Sequence, residues 1–146
     1  MKKKIFALLL IIIFMISANG CTLGYSTPFH GEPDGIMVCL MDSNHKYLYE
    51  YGGPYAHYRD ESKIPLLSIE EDYILEVDLT GGPFLVASSG INFTYEEEKL
   101  EIIELNDYGE FILRILECFE ETTIVVSHDA FSCDVLIKMQ PSEIVE

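Results

Sequence analysis

The chain of 146 residues has no tryptophan, only four cysteines, and nine lysines and arginines against 25 acidic residues. The shortage of basic residues, at a formal net charge of −16, excludes attachment to nucleic acid or to anionic headgroups through a broad positive surface. Long apolar runs are also missing. The longest, Ile5 to Ile16, falls short of the roughly 20 residues that cross about 30 Å of hydrocarbon. There is no D-x-D-x-D-G calcium loop and no closely spaced histidine or cysteine pair of a zinc motif.

What the chain does have begins at its front. Lys2, Lys3 and Lys4 precede the apolar run, which gives way to Ser17, Ala18, Asn19, Gly20 and Cys21. A basic start, a short apolar stretch and a small-residue cut site make a secretory signal peptide over residues 1–20. Gly20 and Cys21 resemble the lipobox of bacterial lipoprotein precursors. That resemblance implies that Cys21 carries lipid and holds the protein to the membrane on the extracytoplasmic side. The alternative is ordinary cleavage after Gly20, leaving Cys21 as a free thiol. Without residues 1–20 the net charge becomes −19, so attachment rests on acyl chains and not on a basic patch. One chain holds only marginally, and the resemblance implies more than one.

Residues 21–34 mix Gly, Pro, Ser and Thr without apolar period, which predicts a tether. From residue 35 to 146 there is length for one domain. Half of the chain is apolar, so this domain folds and is not disordered. Residues 35–41 form a continuous apolar run before the turn residues 42–45, and "KYLYEY" then alternates, with Tyr47, Tyr49 and Tyr51 on one face and Leu48 and Glu50 on the other. A hairpin is expected. "YILEVDL", 73–79, alternates as a half-buried strand; "FLVA", 84–87, is a short one; "TTIVVS" and "CDVLIKM" flank "HDAF" as a second hairpin.

The middle is ambiguous. "TYEEEKLEIIEL" can open a helix with Thr94 and Glu97 as a capping box, and "EFILRILECF" fits either a helical face or strand alternation. Strands are favoured because their neighbours are strands that need partners. The fold class expected is all-β; the alternative is α+β with one or two helices between residues 95 and 120. The segments "EEDYILEVDL", "VASSG", "KLEIIEL", "EETTIVVS" and "CDVLIKM" resemble, over Ile64 to Met139, the bacterial immunoglobulin-like domains of cell-surface adhesins. That resemblance implies a β-sandwich.

Candidate chemistry is sparse. Ser127, His128 and Asp129 are consecutive, whereas a catalytic triad is assembled from separate loci. Ser88 and Ser89 lack the leading glycine of a nucleophile elbow. His30, His45, His57 and His128 have no ligand spacing. No catalytic residue, metal site or cofactor is assigned. Lipidation of Cys21 would leave Cys39, Cys118 and Cys133, an odd number, so at most one disulfide forms within the chain. Cys118 and Cys133 flank one strand and either pair or remain buried thiols. The candidate ligand surface is "YLYEYGGPYAHYR", where Tyr47, Tyr49, Tyr51, Tyr55 and Tyr58 sit with His57 and Arg59. Tyrosine suits sugar stacking or a protein contact; the competing expectation is that one tyrosine face packs inside the fold.

These observations lead to the expectation of a non-enzymatic, lipid-anchored envelope protein acting as a binding or interaction module. Its partners would be the membrane, through lipid on Cys21, and an envelope protein or glycan, but not nucleic acid. A small secreted inhibitor or accessory subunit, blocking a basic partner with its acidic surface, is the alternative.

Overall fold

Alternation of apolar and polar residues, interrupted by Gly, Asp and Asn turns, produces nine strands in the computed structural model, which describes residues 32–54, 56–81 and 86–141. The signal peptide, Cys21 and most of the tether lie outside the described residues, as do Tyr55 and the side chain of Tyr58. The strands are β1 (Gly35–Asp42), β2 (Tyr47–Gly52), β3 (Leu66–Leu67), β4 (Asp72–Thr80), β5 (Asn92–Thr94), β6 (Leu100–Glu104), β7 (Glu110–Ile115), β8 (Glu121–His128) and β9 (Phe131–Met139). They form two sheets, ordered β2-β1-β4-β7-β6 and β3-β9-β8-β5. All pairs are antiparallel except β3 with β9. The protein is all-β, with its two sheets closing on one core.

That core follows from the two-residue period of the strands. Val38, Leu40, Leu75, Val77 and Leu113 of the first sheet and Ile124, Val126, Val135 and Ile137 of the second are fully buried in one cluster. Cross-strand partners share a face: Val38 pairs with Val77, Leu40 with Leu75 and Leu75 with Phe111. Burying one large aliphatic side chain contributes about 1.5–3 kcal/mol, so this double layer of apolar residues is what holds the sheets together.

Two turns fix the hairpins. Asp42 caps the first by accepting from the backbone N–H of Asn44 at 2.9 Å and of Lys46 at 3.0 Å, while His45 takes φ +60°. The second links His128 to Phe131 through Asp129 and Ala130, with Asp129 at φ +50°. A two-residue hairpin turn needs positive φ, which Asp tolerates better than most residues.

The middle of the chain is strand. Residues 95–99 make a turn closed by Lys99 and Leu100 N–H groups on the Glu96 carbonyl, and Thr94 ends β5 where the helical alternative would cap a helix. Leu100, Phe111, Leu113 and Ile115 are buried at positions that only strand alternation brings to one side. The strand expected at 84–87 lies partly outside the described residues; Val86 and Ala87 are irregular, with Val86 buried.

One expected face is corrected. Leu40 pairs with Tyr49 but Met41 pairs with Tyr47, leaving Leu48 as an extra residue. This bulge reverses the alternation beyond it. Tyr49 and Tyr51 therefore lie on the core side with Leu40 and Val38, whereas Tyr47 lies with Met41 on the outer side.

Candidate ligand surface

The bulge divides the tyrosine segment. Tyr51 is 6% exposed and donates its hydroxyl to the Leu136 carbonyl of β9 at 2.8 Å; it is a structural residue. Burial, with Tyr49 and Cys133 nearby, holds its phenol well above the usual range. Tyr49 is half-buried, meets the Tyr51 ring edge-on at 4.8 Å and donates to the Asp60 carbonyl at 3.4 Å. Tyr47 is 57% exposed. His57 is exposed at a short 3-10 turn, Ala56–Tyr58.

Arg59 reaches back onto β2, where its guanidinium donates to the Gly52 carbonyl and to Glu50. The chain after the turn is thereby strapped over the edge of β2. Asp60 fixes the next turn by accepting from Ser62 N–H at 3.0 Å and Ser62 O–H at 2.6 Å, which holds the Asp60 carboxyl below its usual range. Two depressions result. One of about 340 Å³ is lined by Tyr47, Leu48, Tyr49, Arg59, Asp60 and Lys63. The other, about 220 Å³, lies between Tyr49, Tyr51, Arg59, Ile64 and Leu136. Of the residues expected to make a ligand surface, the structure brings Tyr47, Tyr49 and Arg59 to the larger depression. It withdraws Tyr51 into the core, and Arg59 arrives already neutralised by Glu50.

The outer face of the first sheet carries rows set by register. Glu50 pairs with Cys39, Cys39 with Glu76, and Glu76 with Glu110, an acidic row enclosing a thiol. Burial, then Asp78 and Glu110, raise the Glu76 carboxyl, and burial raises that of Asp78. Burial, followed by Glu76 and Asp78, pushes the Cys39 thiol up to about 11. At the far side Arg114 bridges Asp72 at 3.0 Å and Glu101 at 2.9 Å, and its hydrogen bonds hold Asp72 below the usual carboxylate range. These partners, and Asp60 and Lys63, could not be picked from the sequence. For the sheet residues the signal is the register between strands distant in sequence, and for Asp60 and Lys63 it is the return of the chain over β2.

Cys118 and Cys133 do not meet. Both are free, as is Cys39, with Cys118 exposed and Cys133 buried. Cys118 precedes β8, whose first residue Glu121 pairs with Lys138, five positions along β9 from Cys133. That is roughly 17 Å at the rise of a strand, against the less than about 7 Å between Cα atoms that a disulfide needs. Burial and Asp134 push the Cys133 thiol up to about 11.

Ser88 is structural in its contacts, whereas the buried His128 Nδ1 has no hydrogen-bond partner among the described residues. Ser88, 3% exposed, donates to the Asn106 carbonyl at 2.6 Å and accepts from Gly109 N–H at 2.7 Å, clamping the β6–β7 turn. His128 Nδ1 lies 3.4 Å from Asp129 Oδ2, while Ser127 pairs with Asn92 and Ser132 in the ladder. His45 faces Glu110 at 3.8 Å. Among the described residues, no three His, Cys, Asp or Glu side chains gather as a metal site, and no helix is long and apolar enough to cross a membrane. Comparison with protein families, with characterised proteins and with solved structures finds no match.

Proposed function

We propose that this chain is a non-enzymatic, lipid-anchored protein of the cell envelope, whose β-sandwich serves on the extracytoplasmic side as a binding or interaction module. The observation that carries the proposal is the order Lys2–Lys4, twelve apolar residues, then Gly20 and Cys21, followed within fifteen residues by the first strand at Gly35. A thiol at the cut site of an export signal is placed for acylation. The test is fatty-acid labelling of cells expressing the full chain. Wild type incorporates label and stays with membranes, while Cys21→Ala loses both; a Cys21→Ala protein held as firmly as wild type overturns the anchor.

The immunoglobulin-like form of the sandwich is supported by strand order. Over residues 64–139, β4, β7 and β6 stand in one sheet and β9, β8 and β5 in the other. This matches the B-E-D and G-F-C arrangement of immunoglobulin domains. β1 and β2 extend the first sheet beyond it. The depression beside Tyr47, Tyr49 and Lys63 has the aromatic and polar lining that suits a glycan or a protein side chain.

The acidic surface favours a second reading, an accessory or inhibitory subunit that engages a basic partner. It is distinguished by its salt dependence, since exposed charge attraction is screened over about 8–10 Å at physiological ionic strength.

A further inference from the structure

We infer that the free edge of β6 is a docking site for an extended, cationic segment of a partner protein, which adds to the first sheet as a sixth strand. The inference deepens the binding-module reading and rests on it.

β6 is the last strand of its sheet, and its ladder with β7 fixes which backbone groups face outward. Leu116 N–H bonds the Lys99 carbonyl at 2.8 Å, and Leu105 N–H bonds the Glu110 carbonyl at 2.9 Å. Both pairs continue the register in which Leu100 meets Ile115 and Glu104 meets Phe111. In an antiparallel ladder, hydrogen-bonded residues alternate with residues whose N–H and C=O point away. Residues 99, 101, 103 and 105 therefore bond β7, and Leu100, Ile102 and Glu104 face the open edge. Leu100 N–H agrees, turning away from β7 to the Glu96 carbonyl at 3.1 Å. Among the described residues, Ile102 and Glu104 are left presenting a donor and an acceptor each to an added strand, the arrangement used in strand-addition complexes.

The other edges differ. β2 has Arg59 strapped onto its Gly52 carbonyl, β3 has two residues and β5 has three. Six large apolar side chains are exposed among the described residues, and four of them, Ile103, Leu105, Tyr108 and Leu116, lie on β6 or beside it. The charge around them selects the occupant. Between residues 96 and 117 there are eight carboxylates and two cations. Both cations are already engaged, Lys99 with Glu96 at 2.8 Å and Arg114 with Asp72 and Glu101. A second copy pairing here would set carboxylate against carboxylate, the usual protection of an edge against self-association. A strand with lysines opposite Glu101 and Glu104 and apolar residues opposite Ile102 and Ile103 meets complementary groups at every position.

The test uses the full chain in detergent micelles and an end-blocked, fluorescent peptide Thr-Lys-Val-Ile-Lys-Thr, with Thr-Glu-Val-Ile-Glu-Thr as control. The lysine peptide is expected to bind and to slow amide exchange at Ile102 and Glu104, and the glutamate peptide to do neither. Glu104→Pro removes one outward N–H without touching the ladder to β7 and is expected to weaken binding about tenfold. The exchange measurement decides the matter independently of how that variant folds. Absence of binding, or binding without protection at Ile102 and Glu104, overturns the inference. So does a wild-type dimer that Glu104→Pro dissociates, since the occupant would then be a second copy. Binding lost in Tyr47→Ala but kept in Glu104→Pro also overturns the edge, while leaving the binding-module reading intact.

Discussion

Replacing Tyr51 by Phe separates a structural tyrosine from a ligand-facing one. The substitution keeps the ring against Tyr49 and the core and removes only the hydroxyl that donates to Leu136, 85 residues away in sequence. A hydrogen bond of this kind contributes about 1 kcal/mol net, and leaving its buried acceptor unmet costs about 1–3 kcal/mol. The depression between Tyr51 and Leu136 admits water to the bared carbonyl, which places the expected loss near the low end, about 1.5 kcal/mol. With a urea dependence of about 2 kcal/mol per molar, the unfolding midpoint falls by roughly 0.8 M. Far-UV circular dichroism is the suitable probe, because the chain lacks tryptophan. Tyr47→Phe, at an exposed position, stays within about 0.5 kcal/mol of wild type. A Tyr51→Phe midpoint equal to wild type, or a larger loss for Tyr47→Phe, refutes the division that the bulge makes between them.

Two further outcomes concern titration and the thiols. Glu76 has a raised folded-state carboxyl, so the folded chain holds that proton more tightly and stability from this group falls as pH rises through its titration. Glu76→Gln is then more stable than wild type at pH 7, by about 0.2–0.5 kcal/mol because solvent screens this partly exposed group, and thermal melts of the two converge once pH drops below the ordinary 4.5; a gap unchanged by acid contradicts the cause assigned. Without reductant, native protein should lose Cys118 to an alkylating agent quickly and Cys39 and Cys133 slowly, because burial and neighbouring carboxylates keep the latter two protonated. After unfolding all three react, and a pair of protected cysteines in the intact mass would restore the disulfide.

The strands at 35–41 and 73–79 and the last hairpin were legible because their apolar residues alternate between clear turn signals. Residues 95–115 were not, since "YEEEKLEIIEL" combines good helix formers with a period that suits both structures. The decision is tertiary: Leu100 and Leu113 must join Leu75 on the inner face of the first sheet, against Ile124 of the second. β3 and β5 are too short to announce themselves. The candidate site was legible in composition but not in orientation. A bulge of one residue at Leu48 reverses a face without leaving a local signature, and Glu50 claims Arg59 only because the chain folds back over β2.

The parallel pairing of β3 with β9 sets an order of events. Leu66 and Leu67 wait for Lys138 and Met139, and the Tyr51 hydroxyl waits for Leu136, so the sandwich has no closed form until β9 is free to pair. Contacts this distant in sequence form slowly. If the chain is exported as proposed, N-terminus first through a narrow pore, it is therefore still unlocked while in transit and closes only after release.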